Sequence, residues 1–393
     1  MGWMTDETGL DKNQANYVAL TPLSHLRRAA VVFANLPAVS YGTHRKTYAE
    51  YYARCSQLAS ALQQRGVSPG DVVATLIPNL PAQAEAHFGV PACGAVLNTI
   101  NTRLDTGTVS YIFAHGGAKI VLVDSQFLSL AEAACADMDG EAPVIIEVPD
   151  DQASFPASGR HQTYENLLAT GDPDFSWHMP EDEWESLSLN YTSGTTGRPK
   201  GVVCHHRGAY LMTMGTVVSW ALPPHPRYLY TVPMFHCNGW GHAWTMTALA
   251  ATIVCIRAFA PKLFFDLVEE HEVTHFGGAP IVLNMLALAP KEDQKRFAHT
   301  VHAMTAGAPP PAKVLESMAQ FNLEVMHVYG LTETYGHILH SAPQDDWYEQ
   351  SIERQAELKA RQGVRFAMTE AVDVIDPESG KPVPWDAETM GEI

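Results

Sequence analysis

"NYTSGTTGRPKGVV", residues Asn190 to Val203, carries three glycines, four Ser/Thr hydroxyls, one lysine and one proline. It continues one β-rich run, "SLSLNY", and ends by opening another, "GVVC". Gly194 and Gly197 permit backbone conformations that other residues avoid. Thr192, Ser193, Thr195 and Thr196 supply hydroxyl donors, and Lys200 adds a compact positive charge. The stretch reads as a loop made to face phosphate. The plainer alternative is a polar linker between two strands, since Ser/Thr/Gly clusters usually mark loops.

The P-loop pattern G-x-x-x-x-G-K-[ST] is the obvious comparison. Counted from Gly194, its second glycine falls on Pro199. Lys200 is in register, but Gly201 stands where a hydroxyl should hold a magnesium ion. Proline also removes a backbone N–H from a loop whose work is done by N–H groups. A P-loop nucleotidase is therefore a poor fit.

Working outward, apolar runs alternate with helical patterns. "DVVATLI", "AKIVLVD" and "APVIIEV" read as strands, with "LPAQAEAHFGVPACG" a helix between the first two. Residues 149–185 are acidic and rich in Asp, Ser, Gly and Pro, which predicts a long connection with one helix near Tyr164–Ala169. Beyond it the alternation resumes through "RYLYTV", "VTHFGG", "VHAMTAG" and "LEVMHVYG", each separated from the next by a helical pattern. Continuous Val/Ile/Leu strands alternating with helices predict an α/β fold with mainly parallel sheets. Ligands in such folds lie at the C-terminal strand ends. The glycine-rich turns Ser193–Gly197, Ala306–Pro309 and Gly330–Glu333 fall there. The last segment, "AVDVIDPESGKPVPWDAETMGEI", reads as a strand, a turn and the start of another strand.

Bulk properties narrow the function. The 393 residues carry a formal net charge of −18, which argues against an extended nucleic-acid surface. The run Ala243–Ile256 is too short for the ~20 residues of a membrane span, and His242 and Arg257 flank it. The opening "MGWMTDETGL" lacks a basic region followed by an apolar run, and Asp6 stands where myristoylation needs Ser or Thr. Six scattered cysteines without a CxxC predict reduced, mostly buried thiols and a cytoplasmic location.

Four segments in order then carry a family likeness. "YTSGTTGRPKGVV", "VPMFHCNGW", "TAGAPP" and "VYGLTETYG" resemble the signatures of the adenylate-forming (AMP-binding) superfamily, which includes acyl-CoA synthetases and aryl-acid CoA ligases. The resemblance implies the large N-terminal domain of that fold: mainly parallel sheets flanked by helices, plus a smaller β-subdomain. It suggests two parts, 1–185 and 186–393, the second binding ATP and acyl group. In the family, a ribose-binding Asp and Arg, a hinge and a lysine-bearing C-terminal domain follow the "GEI" segment. The chain ends at Ile393, so the expectation is substrate binding with poor activity.

The implied reaction joins a small to medium aliphatic or aryl carboxylic acid to coenzyme A, using ATP and magnesium. By resemblance, Thr192, Ser193, Gly194, Thr195, Thr196, Gly197 and Lys200 hold the phosphates. Thr332 donates to the α-phosphate, and Glu333 ligates the magnesium ion. Gly307, Ala308, Pro309, Val328, Tyr329 and Gly330 surround the nucleotide, with Tyr329 stacking on adenine. His236 gates the path between acid and thiol. Asn238, Trp240, Gly241, Ala306 and Gly307 line the acyl pocket, where bulky Trp240 argues for a short chain. Lys200, His236, Thr332 and Glu333 form the catalytic group. A zinc site at His236, Cys237 and His242 lacks a fourth ligand at familiar spacing. Pairing into a homodimer is a further expectation. Two alternatives remain: an adenylation domain that loads a carrier protein, and a binding module without catalysis. "FHCNGWGHAW" has no carboxylate to meet an ammonium, which argues against an amino-acid substrate.

Overall fold

"AKIVLVD" forms a strand along its whole length, Ala118–Asp124, and six of its seven residues are buried. A strand covered on both faces needs no polar alternation, and its neighbours Val72–Leu76 and Val144–Val148 follow the same logic. The computed structural model describes residues 8–192, 197–386 and 388–393.

The strands, in chain order, are β1 (Pro37–Tyr41), β2 (His44–Thr47), β3 (Val72–Leu76), β4 (Val96–Thr99), β5 (Ala118–Asp124), β6 (Val144–Val148), β7 (Gln162–Thr163) and β8 (Ser186–Thr192). They continue as β9 (Lys200–His205), β10 (Arg227–Tyr230), β11 (Thr252–Cys255), β12 (His275–Gly277), β13 (Val301–Thr305), β14 (Leu323–Leu331), β15 (Gly336–His340) and β16 (Val364–Arg365). One sheet has the order β7-β6-β5-β3-β4-β8-β9. It is parallel except for β9, which runs antiparallel to β8. The other has the order β16-β15-β14-β13-β12-β10-β11-β1-β2. It is parallel from β14 to β1, with antiparallel β2, β15 and β16 at its edges. Both sheets draw strands from both sides of residue 185.

The helix Pro81–Ala92 has Pro81 in its first turn, where the missing N–H is not needed, and is buried along almost its entire length. It belongs to a core shared by both sheets, with Tyr48, Leu58, Phe88, Tyr228 and Trp244 among its members. Its buried carboxylate, Glu85, is satisfied by Arg54 (Nε–Oε1 2.6 Å) and by the Tyr164 hydroxyl (2.8 Å), as a buried charge must be. A second core lies under β12–β14 and includes Phe264, Phe265 and Phe276. A third joins β3 and β5 to the helices Thr106–Gly116 and Leu128–Ala136.

β8 and β9, read from the sequence as two strands without an assigned direction, form an antiparallel pair in which Thr192 faces Lys200. Only residues 193–199 separate them, too few for a crossover, which needs about a dozen residues or more. The terminal segment forms isolated bridges, Ile375 to Pro382 and Ile375 to Glu392, rather than the expected strands. Pro377, Pro382 and Pro384 remove ladder donors there.

Candidate active site

The chain leaving β10 is held by a buried asparagine. Asn79 donates to the Tyr230 and Val232 carbonyls (2.7 and 2.8 Å) and accepts from the Met234 N–H (2.7 Å). This fixes the approach to His236. From Cys237 to Gly241 five consecutive residues have positive φ: 41°, 42°, 61°, 57° and 67°. A left-handed turn of this kind costs roughly 1–2 kcal/mol for each non-glycine residue, so the surroundings must enforce it. The Tyr230 hydroxyl donates to the Gly239 carbonyl at 2.9 Å. A Cβ on Gly239 would lie 2.3 Å from that hydroxyl oxygen, so only glycine fits.

Asn238 does most of the enforcing. Its Oδ1 accepts from Ser188 Oγ (2.7 Å) and Asn190 Nδ2 (2.6 Å). Its Nδ2 donates to Thr99 Oγ1 (3.2 Å), and its backbone N–H to Asn190 Oδ1 (3.1 Å). The side chain is 1% exposed. Asn238, expected in the acyl pocket, therefore stands behind the pocket wall.

Two chambers meet at this turn and share Thr192, His236, Cys237 and Thr332. The outer chamber, ≈ 620 Å³, is bounded by Asn101, Arg103, Tyr191, Gly197, Pro199 and Phe235 among others. The inner chamber, ≈ 380 Å³, is bounded by Trp240, Ala279, Ala306, Gly307, Gly330, Glu333 and His337 among others. Their linings come from the C-terminal ends of β4, β8, β10, β12, β13 and β14, where parallel sheets place ligands. A third cavity, ≈ 420 Å³, lies near Tyr41, Lys46, Arg54 and Asp150, away from all the residues singled out by sequence.

Of the expected site residues, Thr192, Gly197, His236, Trp240, Ala306, Gly307, Gly330, Thr332 and Glu333 line the chambers. Lys200 is exposed opposite Thr192, and no described residue pairs with its ammonium. Ser193, Gly194, Thr195 and Thr196 lie outside the described residues. Val328 is fully buried in the shared core and is not among the residues lining either chamber. Gly241 is buried against Met212 and starts the helix His242–Ala248. Tyr329 is half-buried, and Ala308 and Pro309 are exposed; all three lie beyond the chamber walls. His242 accepts or donates at the Tyr228 hydroxyl (2.5 Å) in the interior. The adjacent histidines His205 and His206 cap a helix, His205 Nδ1 accepting from the Gly208 N–H (2.9 Å), and reach Thr21 through His206 (2.8 Å).

Sequence reasoning missed His337 and Arg103. His337 directly follows the quoted "VYGLTETYG" and packs edge-on against Trp240, centroids 6.2 Å apart. Arg103 follows β4, whose short run "VLNT" offered little periodicity.

Electrostatics favour an uncharged passage between the chambers. Withdrawal from solvent lowers the pKa of His236 below the usual value, so its imidazole is neutral at pH 7. Burial lowers His337 to about 4. Burial also raises the Cys237 thiol, which is therefore protonated and unreactive. Glu333 is the one carboxylate among the described lining residues of either chamber, and it forms no ion pair with a described residue. A single free carboxylate fits a magnesium ion, which takes one or two carboxylates plus phosphate oxygens.

Comparison with known proteins bears on this arrangement. The family described as "AMP-binding enzyme" matches residues 26–393. A peroxisomal acetate/butyrate–CoA ligase of Arabidopsis thaliana is 46% identical over 99% of the chain, which spans 70% of that protein. An acetate–CoA ligase of Humulus lupulus is 44% identical over 99% of the chain, again spanning 70% of its length. Among solved structures, the N-terminal domain of FACL13 from Mycobacterium tuberculosis superposes with a TM-score of 0.77 at 24% identity, covering 92% of this chain and 86% of that one.

Proposed function

The chain belongs to the AMP-binding enzyme family, and from that premise we propose that it is an ATP-dependent, AMP-forming acid–CoA ligase for small aliphatic acids. The observation that carries the reading is the pair of chambers meeting at Thr192, His236 and Thr332, one closed by Trp240 and the other open past Arg103. The names of two relatives, ligases of acetate and butyrate, support the size of the acid. The absence of a second carboxylate from the described inner lining speaks for a plain acid rather than an amino acid.

In the first step a carboxylate oxygen attacks the α-phosphorus of ATP, the bond to the bridging oxygen breaks, and pyrophosphate leaves with that electron pair. In the second, a thiol attacks the acyl carbon, AMP departs, and the thiol proton passes to solvent or product. The first step brings an anion to a polyanion, so it needs neutralisation and alignment more than acid–base chemistry. Lys200, facing Thr192 across β8 and β9, supplies charge at the phosphate end. Thr332 offers its hydroxyl at the junction of the chambers. Glu333 would hold magnesium, which when bound would neutralise phosphate oxygens. Neutral His236 stands between the chambers and neither attracts nor repels the passing anion. The inner chamber takes the acid, and the outer one gives the thiol its approach.

Trp240 limits the acid. Its indole forms part of the inner wall beside His337, and both His242 and His337 pack edge-on against it. The test is a panel of straight-chain acids from two to eight carbons, assayed for AMP release and thioester. The two- to four-carbon acids are expected to lead, and Trp240→Gly is expected to move the optimum upward. A panel with no preference, or one led by amino acids, overturns the reading. The cytoplasm is the compartment proposed, on six free cysteines; one relative is named peroxisomal, and a tagged chain that sorts to peroxisomes overturns it.

A further inference from the structure

We infer that His337 sets the class of acid: its ring accepts a hydrogen bond from a hydroxyl on the acid's chain, so the inner chamber prefers hydroxylated short acids to unsubstituted ones of equal length. This deepens the ligase reading above and rests on it. His337 is the second residue of β15 and stands opposite Gly330 in the pairing with β14. Gly330 brings no side chain to the space beside the ring, and both residues line the inner chamber. The ring packs against Trp240, His242 and Phe366, with centroids 6.2, 5.6 and 5.3 Å away.

One ring nitrogen is already engaged. His337 Nε2 lies 3.0 Å from Thr216 Oγ1, on the helix His206–Ser219. Thr216 is fully buried, and its hydroxyl donates to the Met212 carbonyl, one turn back, at 2.9 Å. A hydroxyl has a single proton, so only lone pairs remain on Oγ1 for the histidine. Nε2 therefore carries the ring proton and donates it. Burial keeps the ring neutral, with its pKa lowered to about 4, which leaves Nδ1 as a bare acceptor. Nδ1 has no partner among the described residues, and it is not one of their sealed polar atoms, since the ring borders the chamber.

The rest of the lining gives this acceptor its weight. Thr192, His236 and Thr332 belong to the junction with the outer chamber. Among the described residues that line the inner chamber alone, Glu333 and His337 are the titratable ones, and Glu333 is assigned to the metal. An unsubstituted acid that displaces water from Nδ1 leaves it unpaired, whereas a hydroxyl takes that water's place. A site that hydrogen-bonds a substrate hydroxyl rejects the analogue without it more sharply than an apolar wall measures chain length.

The test is binding of butyrate, 3-hydroxybutyrate, 4-hydroxybutyrate and 3-oxobutyrate to the 393-residue chain, followed by NMR titration at pH 7.5. The better of the two hydroxy acids is expected to bind about tenfold more tightly than butyrate. 3-Oxobutyrate, which offers only another acceptor, is expected to show no gain. His337→Phe keeps an aromatic ring, removes the acceptor and is expected to bring the hydroxy-acid ratio to about one. Thr216→Val touches neither chamber but takes away the partner that fixes the ring proton on Nε2. It is expected to lower the ratio to about threefold, and it decides the matter if His337→Phe does not fold. A wild-type ratio of one, a gain for 3-oxobutyrate equal to that of the hydroxy acids, or a wild-type ratio retained by the folded variants overturns the inference. A wild-type chain that binds none of the four acids overturns the ligase reading beneath it.

Discussion

Arg257, just after β11, reaches across to Asp124 at the end of β5, Nη2 to Oδ1 2.5 Å, and so fastens one sheet to the other. Its Nη1 also meets Asp150 at 2.7 Å, while the Tyr41 hydroxyl donates to the same carboxylate. The Asp124 side chain is fully buried and that of Asp150 nearly so. Arg257→Met would leave two buried carboxylates without their cation, a loss of about 3–5 kcal/mol. The urea midpoint should fall accordingly; an unfolding free energy within ~0.5 kcal/mol of wild type would show that water replaces the guanidinium.

Stability should depend on pH through buried histidines. Burial is the main cause lowering His25, His206 and His337 to about 4 and His275 to about 3. The unfolded chain protonates these rings near pH 6.5, whereas the folded chain does not. Between those values the unfolded state binds more protons, so stability falls as pH falls. The slope approaches about 1.4 kcal/mol per pH unit for each ring. Above pH 6.5 these rings contribute no pH dependence. Urea unfolding at pH 7.5, 6.5 and 5.5 should show a plateau and then a steep loss, and His206→Gln should make the loss shallower by one proton. A flat profile to pH 5 contradicts the burial argument.

Lys200 and Glu333 should separate by metal dependence. Lys200→Ala removes the charge proposed to meet the phosphates and is expected to weaken ATP binding roughly tenfold, with or without magnesium. Glu333→Gln is expected to weaken binding of the magnesium complex about as much while leaving metal-free ATP unaffected. Equal behaviour of the two variants would remove the assignment of Glu333 to the metal.

Gly330 occupies the irregularity in the β14–β15 pairing, between Tyr329 and Gly330. A Cβ there would fall 1.7 Å from the Gly336 carbonyl oxygen. Gly330→Ala must spread the two strands and displace Thr332 and Glu333, at about 3 kcal/mol. Hydrogen exchange should rise in residues 329–340 and nucleotide binding should be lost; unchanged exchange would show that the pairing yields without strain.

The sequence made the parallel strands legible because burial on both faces removes any need for polar residues, as in "AKIVLVD". That β8 and β9 turn back on one another is carried by the few residues between "SLSLNY" and "GVVC" and not by their apolar pattern, which looks alike in either orientation. Short strands such as β4 and β16 left too little periodicity to read. The chamber residues Thr192, His236, Trp240, Gly330 and Glu333 were legible from their motifs. Asn238 was misread because "HCNGW" gives no sign that its amide turns inward to β8; only the network on Ser188, Asn190 and Thr99 reveals that. His337 and Arg103 reach the chambers through tertiary placement alone.

The interleaved sheets carry a consequence for synthesis. β1 pairs with β11, Val39 against Ile253, so the edge made first must wait 253 − 39 = 214 positions for its neighbour. At translation speeds of ~5–20 residues per second, that neighbour emerges on the order of ten to forty seconds later. During that interval the amino-terminal hairpin has an open flank that could join a stray strand. Expression at reduced temperature, or with a chaperone that shields exposed edges, should therefore raise the yield of native chain more than any single substitution on the surface.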